Sequence, residues 1–210
     1  MIYLIITASI ANRYGKQDAE RREQQYRKAI SETLSHLPVE ITPLIVENNG
    51  HRSTYLDKFT HYGKPIQVVY TDNNRLVYQN KGVNEMLDIR EVIQRHGIEE
   101  TDIIIKLTGR YRILSPLFFQ HILQNQINYD VLVKFYNVET LLFDPYNSVL
   151  GCYAIRTRFL LMFNPLSMNN KMSPETVFAR YARFCGGRLH EVQRLDMECS
   201  FADDFRTLVV

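Results

Sequence analysis

The stretch from Asp102 to Arg112, DIIIKLTGRYR, decides how this chain is read. Ile103, Ile104 and Ile105 form a β-branched apolar run, the pattern of a strand buried on both faces of a parallel sheet. The run then changes character. Lys106, Thr108, Gly109, Arg110, Tyr111 and Arg112 place three cations, a hydroxyl, a phenol and a glycine where the strand should end. Open α/β sheets bind ligands outside the carboxyl ends of their strands. Cations gathered there suit an anion, and phosphate is the commonest biological one. A strand that simply runs into a solvated turn fits the same residues. If extended alternation continues past Thr108, then Lys106, Arg110 and Arg112 share one face, a register that Gly109 can break.

Upstream, the periodicity predicts strands at Ile2 to Ile6, Ile41 to Val46 and Gln67 to Tyr70. Between them it predicts helices from Gln17 to Leu37 and Val83 to His96, with a short helical stretch from Ser53 to Phe59. Glu20, Arg21, Arg22 and Glu23 read as a solvated helix face. Pro38 and Gly97 are stop signals. Strands alternating with helices argue for a parallel sheet with right-handed crossovers. Downstream the pattern becomes more antiparallel. Helices are expected from Ser115-Pro116 to Gln124, from Arg158 to Phe163 and from Ser173 to Phe184. Tyr129 to Phe135 and Glu139 to Phe143 read as a pair of antiparallel strands, Gly151 to Ile155 as another, and Arg188 to Val192 as a last one. Leu195 to Val210 has no clear pattern. The expected architecture is a single α/β domain over 1–210, mostly parallel in residues 1–112 and more antiparallel in 113–210.

Composition narrows the class. In 210 residues, 45% are hydrophobic and 23% charged, enough apolar matter for a real core. A net charge of +2 is too small to imply nucleic acid, so binding cations must be local. Cys152, Cys185 and Cys199 lack metal-ligand spacing, and an odd count suits reduced thiols in the cytoplasm. No apolar run reaches the roughly 18 residues of a membrane span. MIYLIITASI reads as a first strand and not as a signal peptide.

Strand ends of a parallel sheet lie on one edge, so Thr7-Ala8-Ser9, Glu47-Asn48-Asn49 and Asp72-Asn73-Asn74 converge. Their carboxylates, amides and hydroxyls suit a ribose and a base. Lys81-Gly82 opens the next helix, where free N–H groups and a lysine favour a phosphate. Asn, Asp and Gly are also ordinary turn formers. There is no GxGxxG, no GxxxxGK[ST] and no GxSxG, and the six histidines have no metal-binding spacing.

A second strand ending VENNG, a helix opening NKGVNEM and a fourth strand closing IIKLTGRYR together resemble nucleotide-sugar-dependent glycosyltransferases of the GT-A fold. KLTGRY is similar to a signature of small polysaccharide transferases, and the compact length is similar to that of chlorella-virus glycosyltransferases that decorate a capsid protein. The resemblance covers Met1 to Arg112 and implies a nucleotide-diphospho-sugar transferase fold. It implies a UDP- or GDP-linked sugar donor and a glycan or glycoprotein acceptor, such as a viral capsid protein in host cytoplasm. Thr7, Ala8, Ser9, Glu47, Asn49, Asp72 and Asn73 would hold the nucleoside. Lys81, Gly82, Lys106, Thr108, Gly109 and Arg110 would hold the diphosphate. Relatives carry Asp-x-Asp at the end of the fourth strand, to hold Mn or Mg. Here Thr108-Gly109-Arg110 stands in that place, so metal use is in doubt and a guanidinium can do similar electrostatic work. Asp72 and the pair Asp203-Asp204 are the remaining metal candidates. Relatives that invert the anomeric centre use a carboxylate base, for which Glu175 and Asp144 are the candidates. Glu175 also reads as a helix-dipole acid and Asp144 as part of an Asp-Pro turn. Tyr136, Tyr146 and Tyr153 would offer a sugar platform or core. The competing functions are a sugar-phosphate nucleotidyltransferase and a non-catalytic nucleotide- or glycan-binding module.

Overall fold

The computed structural model describes residues 1–11, 18–50, 52–75, 78, 80–169, 171–201 and 206–210. In chain order the elements are β1 (Ile2–Ala8), α1 (Ala19–His36), β2 (Ile41–Glu47), β3 (Thr60–His61), β4 (Lys64–Pro65), β5 (Gln67–Tyr70), α2 (Lys81–His96) and β6 (Ile103–Thr108). They continue with β7 (Arg112–Ile113), α3 (Leu117–Asn125), β8 (Val131–Val133), β9 (Cys152–Arg156), α4 (Thr157–Met162), α5 (Pro174–Phe184), β10 (Leu189–Glu191), β11 (Met197–Ser200) and β12 (Thr207–Val209).

The main sheet has the strand order β10-β8-β9-β6-β1-β2-β5. β1 lies between β2 and β6 and is parallel to both, with Thr7 opposite Val46 on one side and Thr108 on the other. This register brings the carboxyl ends of β1, β2 and β6 level. β9 runs antiparallel to β6, with Cys152 opposite Leu107. The chain therefore enters β9 at the same sheet edge where the parallel strands leave.

Alternation along the strands feeds two cores. Ile103, Ile105 and Leu107 face one side, with Tyr26, Ile30 and Leu34 of α1 and Phe118, Phe119 and Ile122 of α3. Ile104 faces the other, with Val83, Met86 and Ile89 of α2 and Phe178 and Ala182 of α5. Burying one such isoleucine is worth about 2 kcal/mol. The helix ends follow local chemistry. Asp18 caps α1 through Arg21 N at 2.9 Å, and Asn80 caps α2 through Gly82 N at 2.9 Å. Gly97 ends α2 in the left-handed region at φ 59°, which favours glycine.

Several expectations are corrected. Glu139 to Phe143 is not a strand. Asn137 Oδ1 accepts from the N–H of Glu139 and Thr140 and folds the segment into a turn, with Leu141 at φ 60°. β8 pairs instead with β9 and, in parallel, with β10. Ser53 to Phe59 contains a 3-10 turn at Tyr55–Lys58. The unpatterned tail forms β11 and β12, which join β7 in a three-stranded antiparallel sheet. Arg22 is buried, against the solvated face expected for it. Cys152, Cys185 and Cys199 are free thiols. Among the described residues no helix is long and apolar enough to cross a membrane.

Candidate active site

Where β6 ends, a cleft of about 370 Å³ opens between the start of α2, the start of α5 and the loop entering β9. Asn80, Lys81, Gly82 and Glu85 line it from α2; Lys106, Thr108, Arg110 and Tyr111 from β6 and its exit; Leu150 and Gly151 before β9; and Pro174 and Glu175 from α5.

Lys106 lies at its floor with a side chain only 1% exposed. A buried ammonium is tolerated when its three N–H bonds have partners. Lys106 Nζ lies 2.6 Å from Thr108 Oγ1, 3.1 Å from Leu150 O and 3.0 Å from Glu85 Oε2. Its directions are thus already taken, and it acts as an anchor between β6, α2 and the β9 entry. Thr7 Oγ1 at the end of β1 donates to the other Glu85 oxygen at 3.3 Å.

Arg110 is the cation with spare capacity. Its Nη1 donates to Ser200 O at 2.5 Å, while its buried Nε has no partner among the described residues. Arg112 faces elsewhere and pairs with Glu198 at 2.8 Å and with Glu32. The expected common face of Lys106, Arg110 and Arg112 is broken because β6 stops at Thr108 and Arg112 joins another sheet. Gly109 is required by packing: a Cβ there would come within 2.8 Å of the Tyr26 ring. Gly82 is likewise hemmed in by Pro174, at 3.0 Å from an added Cβ. Lys81 is exposed at the first position of α2.

Glu175 occupies the first turn of α5, whose cap is Ser173 Oγ, accepting from Thr176 N at 3.1 Å. Burial raises the proton affinity of its carboxyl. Hydrogen bonds from its own N–H and from Ser173 oppose this, Glu85 adds to the rise and Lys106 subtracts from it. Asp144 is outside this cleft. Its Oδ1 accepts from Tyr146 N at 2.9 Å, which closes the Asp-Pro turn. Tyr153 is fully buried against Phe178 and Tyr146 is exposed, so the three tyrosines form no platform.

The strand ends beyond the cleft are stitched together. Glu47 is fully buried; Oε1 accepts from Ile10 N at 3.2 Å and Asn49 Nδ2 at 2.5 Å, and Oε2 from Asn49 N at 3.0 Å. Asn49 Oδ1 accepts from Asn74 Nδ2 at 2.6 Å. Ala8 is buried, and Ser9 is fixed by α1: its N–H donates to Tyr26 Oη at 2.9 Å and its carbonyl accepts from Arg22 Nε at 2.6 Å. Asn73 Nδ2 donates to Asp88 at 2.8 Å. Asp72 is 69% exposed, 3.9 Å from Arg75. Glu85 and Asp88 escaped the sequence reading, which took Arg22 for a solvated residue and gave Tyr26 no part in the site. The four-residue step from Arg22 to Tyr26 was the signal for that pair.

The described residues form no ready-made site for a resident divalent ion. Thr108-Gly109-Arg110 offers no carboxylate, and among the described residues no group of three or more His, Cys, Asp and Glu could hold a metal. Asp203-Asp204 lies outside the described residues.

No protein-family model matches the sequence, and no curated protein matches it either. Solved structures do match. A chain designated a nucleotide-diphospho-sugar transferase from Desulfovibrio desulfuricans G20 superposes with a TM-score of 0.57 at 10% identity, covering 91% of this chain and 80% of that one. The mannosyltransferase PcManGT from Pyrobaculum calidifontis, in complex with GDP-Man and Mn2+, gives 0.56 at 9% identity, covering 91% of this chain and 54% of that one. A chain designated a glucose-1-phosphate thymidylyltransferase from Bacillus anthracis gives 0.53 at 11% identity, covering 92% and 87%. The fold is that of nucleotide-diphospho-sugar transferases.

Proposed function

We propose that this chain is a glycosyltransferase. It moves a hexosyl or deoxyhexosyl group from a UDP- or GDP-linked donor to a hydroxyl of a glycan or glycoprotein, a capsid protein being one acceptor of that kind. The observation that carries this reading is that Glu175 shares one cleft with Lys81, Thr108 and Arg110. Transfer breaks the bond from the anomeric carbon to the diphosphate and forms one to the acceptor oxygen. The acceptor's proton goes to Glu175, whose raised proton affinity suits a general base. The diphosphate leaves with added negative charge. Arg110 donates to it through its guanidinium, alongside Lys81 at the start of α2. Lys106 positions Thr108 and keeps the floor rigid. Thr7 to Ser9, Glu47, Asn49, Asp72 and Asn73 form the nucleoside edge, so residues 1–112 serve the donor and 113–210 the acceptor.

The test is product analysis with a panel of UDP- and GDP-sugars and a glycan acceptor, with and without chelator. Release of free nucleoside diphosphate that continues in chelator is expected. Arg110→Ala should lower turnover by about 1000-fold with the fold intact. Pyrophosphate formed from a nucleoside triphosphate and a sugar phosphate would reassign the chain to nucleotidyl transfer. Nucleotide binding with neither product would leave a binding module.

A further inference from the structure

One buried carboxylate plays no part in the cleft chemistry above. Asp88, midway along α2, is 1% exposed and lies under the ends of β2 and β5. Three donors converge on it. Thr71 Oγ1 and Asn73 Nδ2 reach Oδ1 at 2.7 and 2.8 Å, and Asn48 Nδ2 reaches Oδ2 at 2.9 Å. Asn48 follows β2, while Thr71 and Asn73 follow β5. The same two loops meet again through the backbone, where Thr71 N donates to Glu47 O at 2.9 Å and Asn74 N to Asn48 O at 3.0 Å. An acceptor-only group with two oxygens is the side chain that satisfies three donors at once.

We infer that Asp88 is a positioning residue that locks the β2 and β5 exit loops into one rigid edge for the donor's nucleoside, although it touches no substrate itself. The assignment rests on the reading of those loops as the nucleoside edge. Loops held in the bound geometry before the ligand arrives bind it with less ordering cost. An acid there gives the edge a pH response. Burial pushes the Asp88 carboxyl up to about 7, against the pull of Thr71, Asn73 and Asn48, and Glu85 on the same helix adds to the rise. The groups facing it from the β2 and β5 ends are the neutral Asn48, Thr71 and Asn73. Once protonated, one of its oxygens carries a hydrogen toward donors, and the edge loosens.

The experiment is calorimetric titration of UDP, GDP, CDP and dTDP into the full chain across a pH series, with donor KM and kcat measured in parallel. In the wild type, affinity for the bound nucleotide should fall as pH drops through about 7. Asp88→Leu should weaken binding by about tenfold and raise donor KM with kcat at saturating donor unchanged. Asp88→Asn replaces one acceptor oxygen with an N–H donor, as protonation does, and cannot titrate, so at every pH it should bind as weakly as the wild type does at low pH and lose the pH response. Thr71→Val removes the hydroxyl donor to Asp88 Oδ1 without altering a residue of the nucleoside edge, and it stands in if Asp88→Leu fails to fold. It should weaken binding by several-fold. Wild-type affinity in Thr71→Val, or a pH response that persists in Asp88→Asn, overturns the role of Asp88 alone. Failure of the wild type to bind any of the four nucleotides overturns the nucleoside-edge reading and the assignment with it.

Discussion

Lys106 and Glu85 form an ion pair at the base of the cleft, Nζ to Oε2 at 3.0 Å, in which the ammonium is almost fully buried and the carboxylate partly so. Such pairs contribute little net stability, yet losing one partner strands the other charge away from water. Glu85→Leu is therefore expected to destabilise the fold by about 2 to 3 kcal/mol, discounted for the partial exposure of Glu85. Lys106→Met fills the same space without a charge and should cost less. Urea unfolding of both variants, with m-values, checks the order. Equal losses would mean that the charge itself is not what Glu85 compensates.

Glu175 gives a prediction in pH. Burial raises its proton affinity above that of an ordinary glutamate. A base must be deprotonated to act, so kcat/KM should rise with pH along an acid limb displaced above the usual glutamate range. Glu175→Gln should lose about 100-fold in kcat and lose that limb, with donor binding unchanged. A limb that persists in the variant would assign it to another group.

Gly151 packs against the Tyr111 ring so tightly that an added Cβ would lie 2.0 Å from Cε2. Gly151→Ala is expected to destabilise by about 1 to 3 kcal/mol, the usual cost of overpacking. Tyr111→Val in the same chain should recover part of it. Thermal unfolding of the single and double variants is the measurement.

Asp130 anchors the far side of the sheet. Burial alone would raise its carboxyl, but hydrogen bonds from the side chain and N–H of Arg188 and from Arg156 outweigh this and hold it at about 2. A carboxyl lowered in the folded state stabilises above its unfolded value of about 3.9 and loses that contribution as pH falls through its folded value. Asp130→Asn should thus cost about 2 kcal/mol near neutrality, and the gap from wild type should close as pH approaches 2. A pH-independent gap would mean that packing, not charge, carries the effect.

Much of the fold was legible because the signals were local. The Ile103–Ile105 run marked a core strand, Asn80 and Gly97 bracketed α2, and Ser173-Pro174 opened α5. The parallel first half followed from alternation alone. Side-chain roles were harder to read, since partners come from distant parts of the chain. Lys106 reads as a phosphate ligand until Glu85 and Leu150 are seen to occupy its N–H groups. Glu47 looks like a free carboxylate until the N–H of Ile10 and the amide of Asn49 close on it. Leu141 to Phe143 has strand composition, but Asn137 on one side and Asp144-Pro145 on the other bend it away from the sheet. Turn chemistry overrode propensity there. Asp88 was passed over because a lone acid between Leu87 and Ile89 looks like a solvated position until the loops of two other strands descend on it.

The place of β6 between β1 and β9 also constrains how the protein is made. As the chain leaves the ribosome, β6 finds β1 waiting, but its other edge has no partner until Cys152–Arg156 emerges. In that interval the nascent chain carries, unpaired along one side, the backbone of a strand that ends fully buried, the kind of edge that recruits neighbouring chains. Synthesis of the second half is therefore the step that seals the first. A polypeptide released early, near Arg112, would keep an adhesive rim where the finished protein has its interior.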